Sequence, residues 1–234
     1  MNKITWIIFA VFTVGILGLL IIFSNSSKLN VSTIDTNIVQ SANSQNGNIG
    51  DHIFGKSGSK VTLIEYGDFQ CPPCGSAAPV IKAISEQYKD QLQFIFRNFA
   101  ITTSHPNAKA AAGTAEAAGL QGKYWEMHDK IYASQSDWSN LSSTERTDFF
   151  TKYAKDLGLD IIKFNADLAE TNDSTSINAK INYDYALGKK AGVEATPTFY
   201  LNGVRLDTTV WSNNTKLKDA INTELKKAVI TLPK

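Results

Sequence analysis

The two cysteines of this 234-residue chain, Cys71 and Cys74, are separated by Pro72 and Pro73. A disulfide that closes so short a loop removes little entropy from the unfolded chain, so it would add little stability. The same spacing suits thiol–disulfide exchange, because one sulfur can attack a partner's disulfide while the other lies close by to resolve the mixed disulfide. The pair therefore indicates redox chemistry rather than structural cross-linking.

The segments on either side of the pair predict where each thiol lies. A run of β-forming residues, 61–66, precedes the cysteines, and apolar residues at helical spacing follow them. Cys71 is then expected at a helix N-terminus, where unpaired N–H groups and the helix dipole favour its thiolate. Pro72 fits the first turn, which has no use for its missing N–H. We predict Cys71 as the nucleophile and the better shielded Cys74 as the resolving thiol.

A second interpretation makes the pair half of a zinc site. Structural zinc sites use about four donors, usually including a second Cys or His pair at short spacing. The histidines, His52, His105 and His128, are instead scattered singly, so we predict no metal site and no cofactor. His105, which precedes a proline, is expected to cap a helix. A non-enzymatic binding module with an inert or zinc-bound cysteine pair stays open as an alternative.

Glu65 is the one acid in the strand-like run and lies six residues before Cys71. A carboxylate in a strand buried on both faces is costly unless it is paired, so the pKa of this group should be raised. Such a group could relay a proton to or from Cys74. The alternative is a satisfied, partly solvated carboxylate at the end of the sheet.

The predicted elements run in the order strand, helix, strand, helical block, hairpin, helix. The first strand, 61–66, a helix that ends near Asp90 and a second strand, 92–96, have the lengths of a parallel βαβ unit. Residues 105–190 are mostly helical in pattern, and Asn202-Gly203 is a strong signal for a two-residue hairpin turn. This order predicts an α/β fold interrupted by helices.

Within the helical block, particular side chains mark helix ends. Ser142 and Glu145 have the spacing of a capping box, and Gly158 suits the C-terminal end of the same helix. Asp160 is a suitable N-terminal cap for the next helix. These residues predict one helix that begins at Ser142 and stops before Gly158, and a second that begins after Asp160.

Residues 4–23 form an unbroken run of uncharged, mostly apolar residues. A helix needs roughly 20 such residues to cross the hydrocarbon core, whereas a cleaved signal peptide has a shorter apolar core of about 7–15 residues and a small-x-small cleavage site. The following residues, 24–28, contain neither such a site nor a cysteine for lipid attachment. We therefore predict an uncleaved single-pass membrane anchor over 1–23 and a catalytic domain outside the cytoplasm, where disulfides persist.

Composition divides the rest of the chain. Residues 24–50 are rich in Ser, Asn, Thr and Gln and predict a flexible polar linker. Residues 51–230 have the pattern of one domain, with its helical insertion over about 103–190. The net charge of +1 gives no electrostatic basis for binding nucleic acid, and we expect a monomer.

This order of elements resembles a thioredoxin fold with an inserted helical subdomain, preceded by one transmembrane helix. The resemblance is to DsbA-like thiol–disulfide oxidoreductases, particularly their membrane-anchored bacterial members. It covers about residues 51–228 and rests on four segments, which are 65–74, 105–108, 121–125 and 195–199. A Cys-x-x-Cys pair alone would be weak support, but the preceding strand and the Thr-Pro step before a hairpin make the pattern specific.

The resemblance implies roles for residues around the cysteines. The Thr196–Pro197 bond is expected to be cis, to lie against the cysteine pair and to offer the Thr196 backbone to an extended substrate segment. Pro72 and Pro73 provide no histidine or other cation beside the thiolate, so a milder oxidant than the strongest family members is expected. A group of large side chains could line a substrate groove, although such residues more often lie in the core; these are Phe99, Trp125, Met127 and Trp138.

The resemblance also implies an activity and partners. It predicts that the Cys71–Cys74 disulfide is donated to reduced proteins exported across the bacterial cell membrane, and that a quinone-linked membrane thiol oxidase restores it. The alternatives on the same fold are a disulfide isomerase and a reductase. Isomerases of this group usually carry a separate N-terminal dimerisation domain, and residues 24–50 are too short and polar to form one.

Overall fold

A computed structural model of the chain describes residues 29–169 and 176–230. The cysteine pair lies in the compact unit that begins at Val31. The predicted membrane anchor over 1–23 lies outside the described residues. Among the helices that are described, none is both long and apolar enough to cross a membrane.

Five strands of the described part form one sheet, with bounds Ile53–Gly55 (β1), Thr62–Gly67 (β2), Gln93–Asn98 (β3), Thr198–Leu201 (β4) and Val204–Arg205 (β5). Their spatial order is β1–β3–β2–β4–β5. β2 and β3 pair in parallel, and the other neighbouring pairs are antiparallel. The predicted parallel unit and hairpin are confirmed, whereas the edge strand β1 has no counterpart in the sequence prediction.

The strands with the densest β-forming sequence lie at the centre of the sheet. Every residue of β2 and β3 is buried, as expected for parallel strands covered on both faces. Leu63 and Ile64 of β2 contribute to the core. Glu65 follows them, in register with Phe96 of β3 and Phe199 of β4. The fold therefore places one carboxyl group among buried apolar side chains.

The helices of the described part are Pro72–Gln87 (α1), Ala108–Gly119 (α2), Tyr124–Ala133 (α3), Gln135–Trp138 (α4), Ser143–Asp156 (α5), Ile161–Ala169 (α6), Ser176–Ala191 (α7), Thr208–Trp211 (α8) and Asn214–Ile230 (α9). α1 connects β2 to β3. The helices α2 to α7 lie between β3 and β4 and form the predicted insertion. The result is a thioredoxin-like α/β fold with a helical insertion.

Side chains at the helix ends explain where two of the inserted helices begin and stop. The Ser142 hydroxyl accepts a hydrogen bond from the Glu145 N–H, and the Glu145 carboxylate accepts one from the Ser142 N–H at 3.0 Å. Gly158 has a φ of 71°, a left-handed conformation that glycine adopts without strain. The Asp160 carboxylate accepts the Lys163 N–H at 3.0 Å. The predicted helix boundary is confirmed.

The segment before β1 packs onto the domain. Where the sequence predicts a flexible linker over 24–50, residues 31–51 (the N-terminal arm) lie against the domain instead, and their short 3₁₀ helix, Ser44–Asn46, contacts α7. The polar composition that favours a linker here supplies buried hydrogen bonds. For example, the Gln40 side-chain oxygen accepts a hydrogen bond from the Tyr183 hydroxyl of α7 at 3.0 Å.

Buried charges tie the N-terminal arm to the sheet and to α7. The Arg97 guanidinium of β3 donates to the Thr36 carbonyl oxygen at 2.5 Å and to the Asp51 carboxylate at 2.7 Å. Lys180 donates to Asp51 at 3.1 Å and to Asp184 at 2.7 Å. Burial alone would raise the pKa of Asp51, but the Lys180 and Arg97 cations lower it to about 2. The Asp51 carboxylate is therefore paired with a cation from β3 and with a cation from α7.

Candidate active site

The cysteine pair lies where β2 leads into α1. Cys71 is the N-cap residue of α1, and Pro72 and Pro73 occupy its first turn, where a missing N–H breaks no helical hydrogen bond. Cys71 keeps an exposed fraction of 6%, whereas Cys74, one turn further along, has none. This difference in access matches the predicted order of reactivity, in which the outer sulfur meets the partner first.

The two thiols also differ in acidity. A side-chain hydrogen bond with Cys74 is the largest influence on Cys71, and against the opposing effect of burial it lowers the pKa of Cys71 to about 6. Burial, followed by the hydrogen bond to Cys71, raises the pKa of Cys74 well above its usual value. Near neutral pH the reduced pair is therefore a Cys71 thiolate beside a Cys74 thiol, and the thiolate is the nucleophilic form.

The turn before β4 faces the outer sulfur. The Thr196–Pro197 peptide bond is cis, as predicted, and the Thr196 carbonyl oxygen lies 3.3 Å from the Cys71 sulfur. An open groove of about 330 Å³ begins at Pro197 and continues along Arg205 and Trp211. An accessible surface thus adjoins the backbone that touches the reactive thiol.

Glu65 is desolvated inside the sheet. Its exposed fraction is 2%, and burial, followed by the negative charge on Cys71, raises the pKa of this carboxyl group to about 8. Its Oε1 atom has no hydrogen-bond partner among the described residues. The predicted raised pKa is confirmed, and the alternative of a partly solvated carboxylate is wrong. A carboxyl group that titrates near neutral pH can both donate and accept a proton.

One contact from the helical insertion holds the turn that carries Cys71. The Gln135 side-chain amide donates to the Phe69 carbonyl oxygen at 2.7 Å and to the Cys71 carbonyl oxygen at 2.8 Å. Gly75 lies against this amide, and a Cβ atom at that position would collide with it. No motif in the sequence marks Gln135, because only the fold brings α4 to the cysteine turn.

Asp68 organises the loop that leads into the cysteines. Its buried carboxylate accepts the N–H groups of Gln70 at 2.8 Å and Ile101 at 2.7 Å, and it pairs with His105 Nδ1 at 2.8 Å. The prediction that His105 caps a helix is wrong, since Asn107 is the N-cap residue of α2. His105 and its partner are 37 residues apart, so the local sequence could not reveal the pair.

Each histidine has a carboxylate partner of its own. His52 lies 2.8 Å from Glu116, and His128 Nδ1 lies 3.0 Å from Asp129. Within residues 29–169 and 176–230, no group of three or more His, Cys, Asp or Glu side chains is placed to hold a metal ion. The described histidines therefore take part in separate carboxylate contacts.

The large side chains considered for a substrate groove lie mainly in the core. Phe99, Met127 and Trp138 are buried, and the Trp138 indole donates to the Ile131 carbonyl oxygen at 2.8 Å. The core interpretation is confirmed for these residues. Trp125 differs, because it is half-buried and lines a small cavity.

The sequence matches a known family and part of several curated proteins. A model of the family described as Thioredoxin matches residues 47–222. The Na(+)/H(+) antiporter NhaA 1 of Salinispora arenicola is 36% identical over 155 residues, which cover 66% of this chain and 22% of the antiporter. The antiporter NhaA 1 of Mycolicibacterium vanbaalenii is 34% identical over 157 residues, covering 66% of this chain and 24% of that protein. The chain thus spans less than a quarter of the length of these relatives.

Solved structures share the fold. BdbD from Bacillus subtilis in its oxidised form aligns with a TM-score of 0.65 and 21% identity, covering 81% of this chain and 98% of that chain. Alpha-DsbA1 of Wolbachia pipientis aligns with a TM-score of 0.66 and 21% identity, covering 78% of this chain and 94% of that chain. At these identities the likeness concerns the fold. It includes the helical insertion, because nearly the whole of each of the two solved chains is covered.

Proposed function

This chain belongs to the thioredoxin family, and from that membership and the geometry of its cysteine pair we propose that it is a thiol–disulfide oxidoreductase. Its fold is the DsbA-like form of the thioredoxin fold. In the proposed activity the Cys71–Cys74 disulfide is donated to reduced exported proteins. The observation that carries the proposal is the contrast between the reachable Cys71, with a pKa of about 6, and the buried Cys74 with a raised pKa.

The first step opens the protein's disulfide. A client thiolate attacks the Cys71 sulfur, the bond between client and Cys71 forms, and the bond between Cys71 and Cys74 breaks. The electron pair leaves on Cys74, where burial disfavours a thiolate. Glu65, which is neutral below its pKa of about 8, supplies the proton that converts Cys74 to the thiol.

The second step releases the client. A second client thiolate attacks the client sulfur of the mixed disulfide, the client disulfide forms, and Cys71 leaves as a thiolate. Two electrons have then passed from the client thiols to the protein. Because Cys71 is a stable thiolate near neutral pH, the reduced form is favoured and the disulfide acts as an oxidant.

The cis-proline turn is proposed to position the client. The Thr196 carbonyl oxygen lies 3.3 Å from the Cys71 sulfur, and the groove that begins at Pro197 is open. An extended client segment that pairs with the Thr196 backbone would place its own cysteine at Cys71. Backbone pairing of this kind accepts many sequences, which suits an enzyme with varied clients.

We also propose where the protein works and what restores it. The apolar run over residues 4–23 has the length of a membrane span, and a disulfide donor is useful where disulfides persist, outside the cytoplasm of a bacterial cell. A membrane thiol oxidase linked to quinone would accept the two electrons. In that half-reaction the Cys71 thiolate attacks the oxidase disulfide and forms a mixed disulfide with it. Cys74 then attacks the Cys71 sulfur, which restores the Cys71–Cys74 bond and releases the oxidase as a dithiol.

The competing proposals rest on weaker support. A Cys71 pKa of about 6 lies well below the value of about 8.5 for a free cysteine, which argues against an inert pair in a binding module. The antiporter names give no basis for ion transport, because this chain spans about a fifth of those proteins. Reduction uses the same two thiols with electrons passing in the opposite direction, and isomerisation uses them with no net transfer of electrons.

Refolding of ribonuclease separates these activities. The oxidised full-length protein is expected to restore activity to reduced ribonuclease, and the Cys71→Ser variant is expected to fail. Activity restored to scrambled but not to reduced ribonuclease would assign an isomerase instead. Stoichiometric zinc with no transfer to either substrate would favour the binding module.

A further inference from the structure

A small cavity lies between the sheet, α1 and α3, and Lys82 and Asp129 border its outer end. Its volume of about 20 Å³ is enough for one water molecule. Its wall includes Glu65 of β2, Ser85 of α1, and Trp125 and His128 of α3. Each of these side chains has a buried polar atom without a hydrogen-bond partner among the described residues, namely Glu65 Oε1, Ser85 Oγ, Trp125 Nε1 and His128 Nε2.

The chemistry of this wall fits a water molecule. Buried polar groups are costly unless they are paired, and a buried water typically makes about three hydrogen bonds. Here the Ser85 hydroxyl and the Trp125 N–H can donate to a water, and the Glu65 carboxylate and His128 Nε2 can accept from it. An apolar cavity of the same size would stay dry, so the polar wall is what identifies the occupant.

His128 connects the cavity to the protein surface. Its Nδ1 atom lies 3.0 Å from the Asp129 carboxylate. A carboxylate can only accept, so Nδ1 carries the hydrogen and Nε2 of the neutral ring is an acceptor. Burial lowers the pKa of His128, which keeps the ring neutral near pH 7. Asp129 pairs with Lys82 at 2.6 Å, and their exposed side-chain fractions are 30% and 53%.

We propose that Glu65 exchanges its proton with solvent through one water in this cavity and the His128–Asp129 pair. In the outward direction the Glu65 proton passes to the water, a water proton passes to His128 Nε2, and the Nδ1 proton passes to Asp129 and then to solvent. The outward transfer leaves the ring hydrogen on Nε2, so uptake follows the reverse order and returns the hydrogen to Nδ1. His128 affects the reaction only through Glu65 and does not touch the reacting sulfurs, so it is a positioning residue. The inference rests on the proposed function, in which Glu65 serves Cys74.

The proposed reaction needs such a route in each half of its cycle. After Glu65 has protonated Cys74, the carboxylate must recover a proton from solvent. Before reoxidation it must lose that proton again, so that it can accept the one from Cys74. With an exposed fraction of 2%, Glu65 cannot exchange with bulk water directly.

The other ionisable groups around Glu65 do not offer the same connection. Those packed near it are Cys71 and Cys74 from the start of α1, and Tyr124, His128 and Tyr132 from α3. Lys82 and Asp129 close the outer end of the cavity. Among these described groups, His128 alone combines a ring nitrogen at the cavity with a hydrogen bond to a partly exposed carboxylate.

A pH jump followed by infrared spectroscopy tests the route without a client. The carboxyl band of Glu65, assigned by its loss in Glu65→Gln, is followed in the reduced full-length protein after a jump from pH 6.5 to 9.5. We expect His128→Phe, which keeps a buried ring but removes both nitrogens, to slow the relaxation about tenfold or more, since positioned proton transfer contributes at least that much. Asp129→Asn, at the partly exposed end, is expected to slow it as well.

Tyr124→Phe is the matched control. It removes a buried hydroxyl without a partner from the same helix, but Tyr124 is not part of the cavity wall, so the relaxation should stay at the wild-type rate. A wild-type rate in His128→Phe, or in Asp129→Asn if the first variant does not fold, would overturn the proposal. Equal slowing in Tyr124→Phe would do so too. Failure of wild-type protein to exchange disulfides would instead refute the proposed function and leave this measurement unaffected.

Discussion

Cys71 owes its acidity mainly to its neighbour in the motif. The side-chain hydrogen bond with Cys74 is the largest contribution to the lowered pKa, and Cys71 lies at the N-cap of α1 without a histidine or other cation in the intervening Pro72-Pro73. This explains how a motif without a cation between its cysteines can still hold a thiolate. Thr196 also lowers the pKa of Cys71, so the contribution of Cys74 is the largest of several and can be tested by itself.

Replacing Cys74 with alanine should therefore raise the pKa of Cys71 from about 6 toward the free value of about 8.5. The rate of alkylation of Cys71 as a function of pH measures this directly, and its midpoint is expected to move upward by one to two units, as an order of magnitude. Ser76→Ala is a suitable control, because its hydroxyl donates to the Pro72 carbonyl oxygen and not to a sulfur. An unchanged midpoint in Cys74→Ala would assign the acidity to Thr196 and the helix terminus instead.

The buried Glu65 carboxyl group destabilises the fold when it is ionised. Its pKa rises from 4.5 to about 8 on folding, so the native state binds the proton more tightly than the unfolded state. Ionisation therefore destabilises the fold progressively as the pH rises from 4.5 to about 8, and the full cost applies above that range. A group retained at such a cost is a candidate for function rather than stability.

Glu65→Gln should accordingly be more stable than wild type at high pH. We expect an increase of about 3–5 kcal/mol in the free energy of unfolding at pH 9, since one pKa unit corresponds to about 1.4 kcal/mol, and little difference near pH 4.5. Urea unfolding at both pH values checks this, with the exposed Glu194→Gln as background. A difference that is equal at the two pH values would contradict the shifted pKa.

At the residue scale, the sequence predicts what depends on neighbours in the chain. Cys71, Cys74 and Glu65 were accessible to prediction because one strand-turn-helix segment places all three. His105 and Gln135 were not, because their partners lie 37 and 64 residues away. Contacts of that kind depend on how the helical insertion packs against the rest of the domain, and the sequence pattern of a single segment does not predict that packing.

At the scale of elements, α4 fixes the turn at the start of α1. The Gln135 amide bonds two carbonyl oxygens of that turn, those of Phe69 and Cys71. Phe69 is buried and Cys71 nearly so, which leaves little access for water to replace the amide. The helical insertion thus contributes to the cysteine site although it supplies neither thiol.

Gln135→Ala should loosen this turn. Leaving buried acceptors unpaired costs about 1–3 kcal/mol, and we expect a loss of that size in the free energy of unfolding together with faster hydrogen exchange at the Cys71 and Gly75 amides. The control is Gln121→Ala, which removes two solvent-exposed hydrogen bonds between the half-buried Gln121 side chain and the Asp160 backbone and should cost less. Equal losses in both variants would show that the turn does not depend on Gln135.

The N-terminal arm depends on its buried charges in the same way. Asp51 is paired with Arg97 and Lys180, all of them buried. Asp51→Asn removes the negative charge that balances the Arg97 and Lys180 cations. Removing one partner of a buried ion pair lowers the free energy of unfolding by about 3–5 kcal/mol. The pKa of Asp51 is lowered from 3.8 to about 2, so its stabilisation should be present above pH 3.8 and lost as the pH falls toward 2.

Thermal unfolding of wild type and Asp51→Asn between pH 2 and pH 7 measures this effect. The two proteins should differ most near neutral pH and converge in acid. Asp35→Asn, which alters a residue of the arm outside this charge cluster, is the control. A constant difference across the range would mean that the Asp51 charge is not what holds the arm.

Elements with a local signal were predicted and elements without one were missed. The hairpin follows from Asn202-Gly203, which have φ values of 48° and 80° and so meet the turn's need for left-handed conformation. β1 has three residues and pairs only with β3, too short to show an alternating pattern. The N-terminal arm was missed because polar residues that bond to a distant surface look the same in sequence as solvated ones.

At the scale of the whole molecule, the site combines two parts of the chain. The thioredoxin-like core provides the cysteine pair, Glu65 and the cis-proline turn, and the insertion covers them and contributes Gln135 and His128. Because both parts enclose Cys74, its burial is a property of the assembled fold. That burial raises the pKa of Cys74 and makes a thiolate stable on Cys71 alone.

The reduction potential of the Cys71–Cys74 pair tests the central claim most directly. The Cys71 pKa of about 6 lies between the values of about 7 in thioredoxin and about 3.5 in DsbA, so the reduced form is stabilised to an intermediate degree. Equilibration of the full-length protein with glutathione buffers is expected to give a potential above about −270 mV and below about −120 mV. A potential at or below that of thioredoxin would contradict an oxidase and make the protein a reductant.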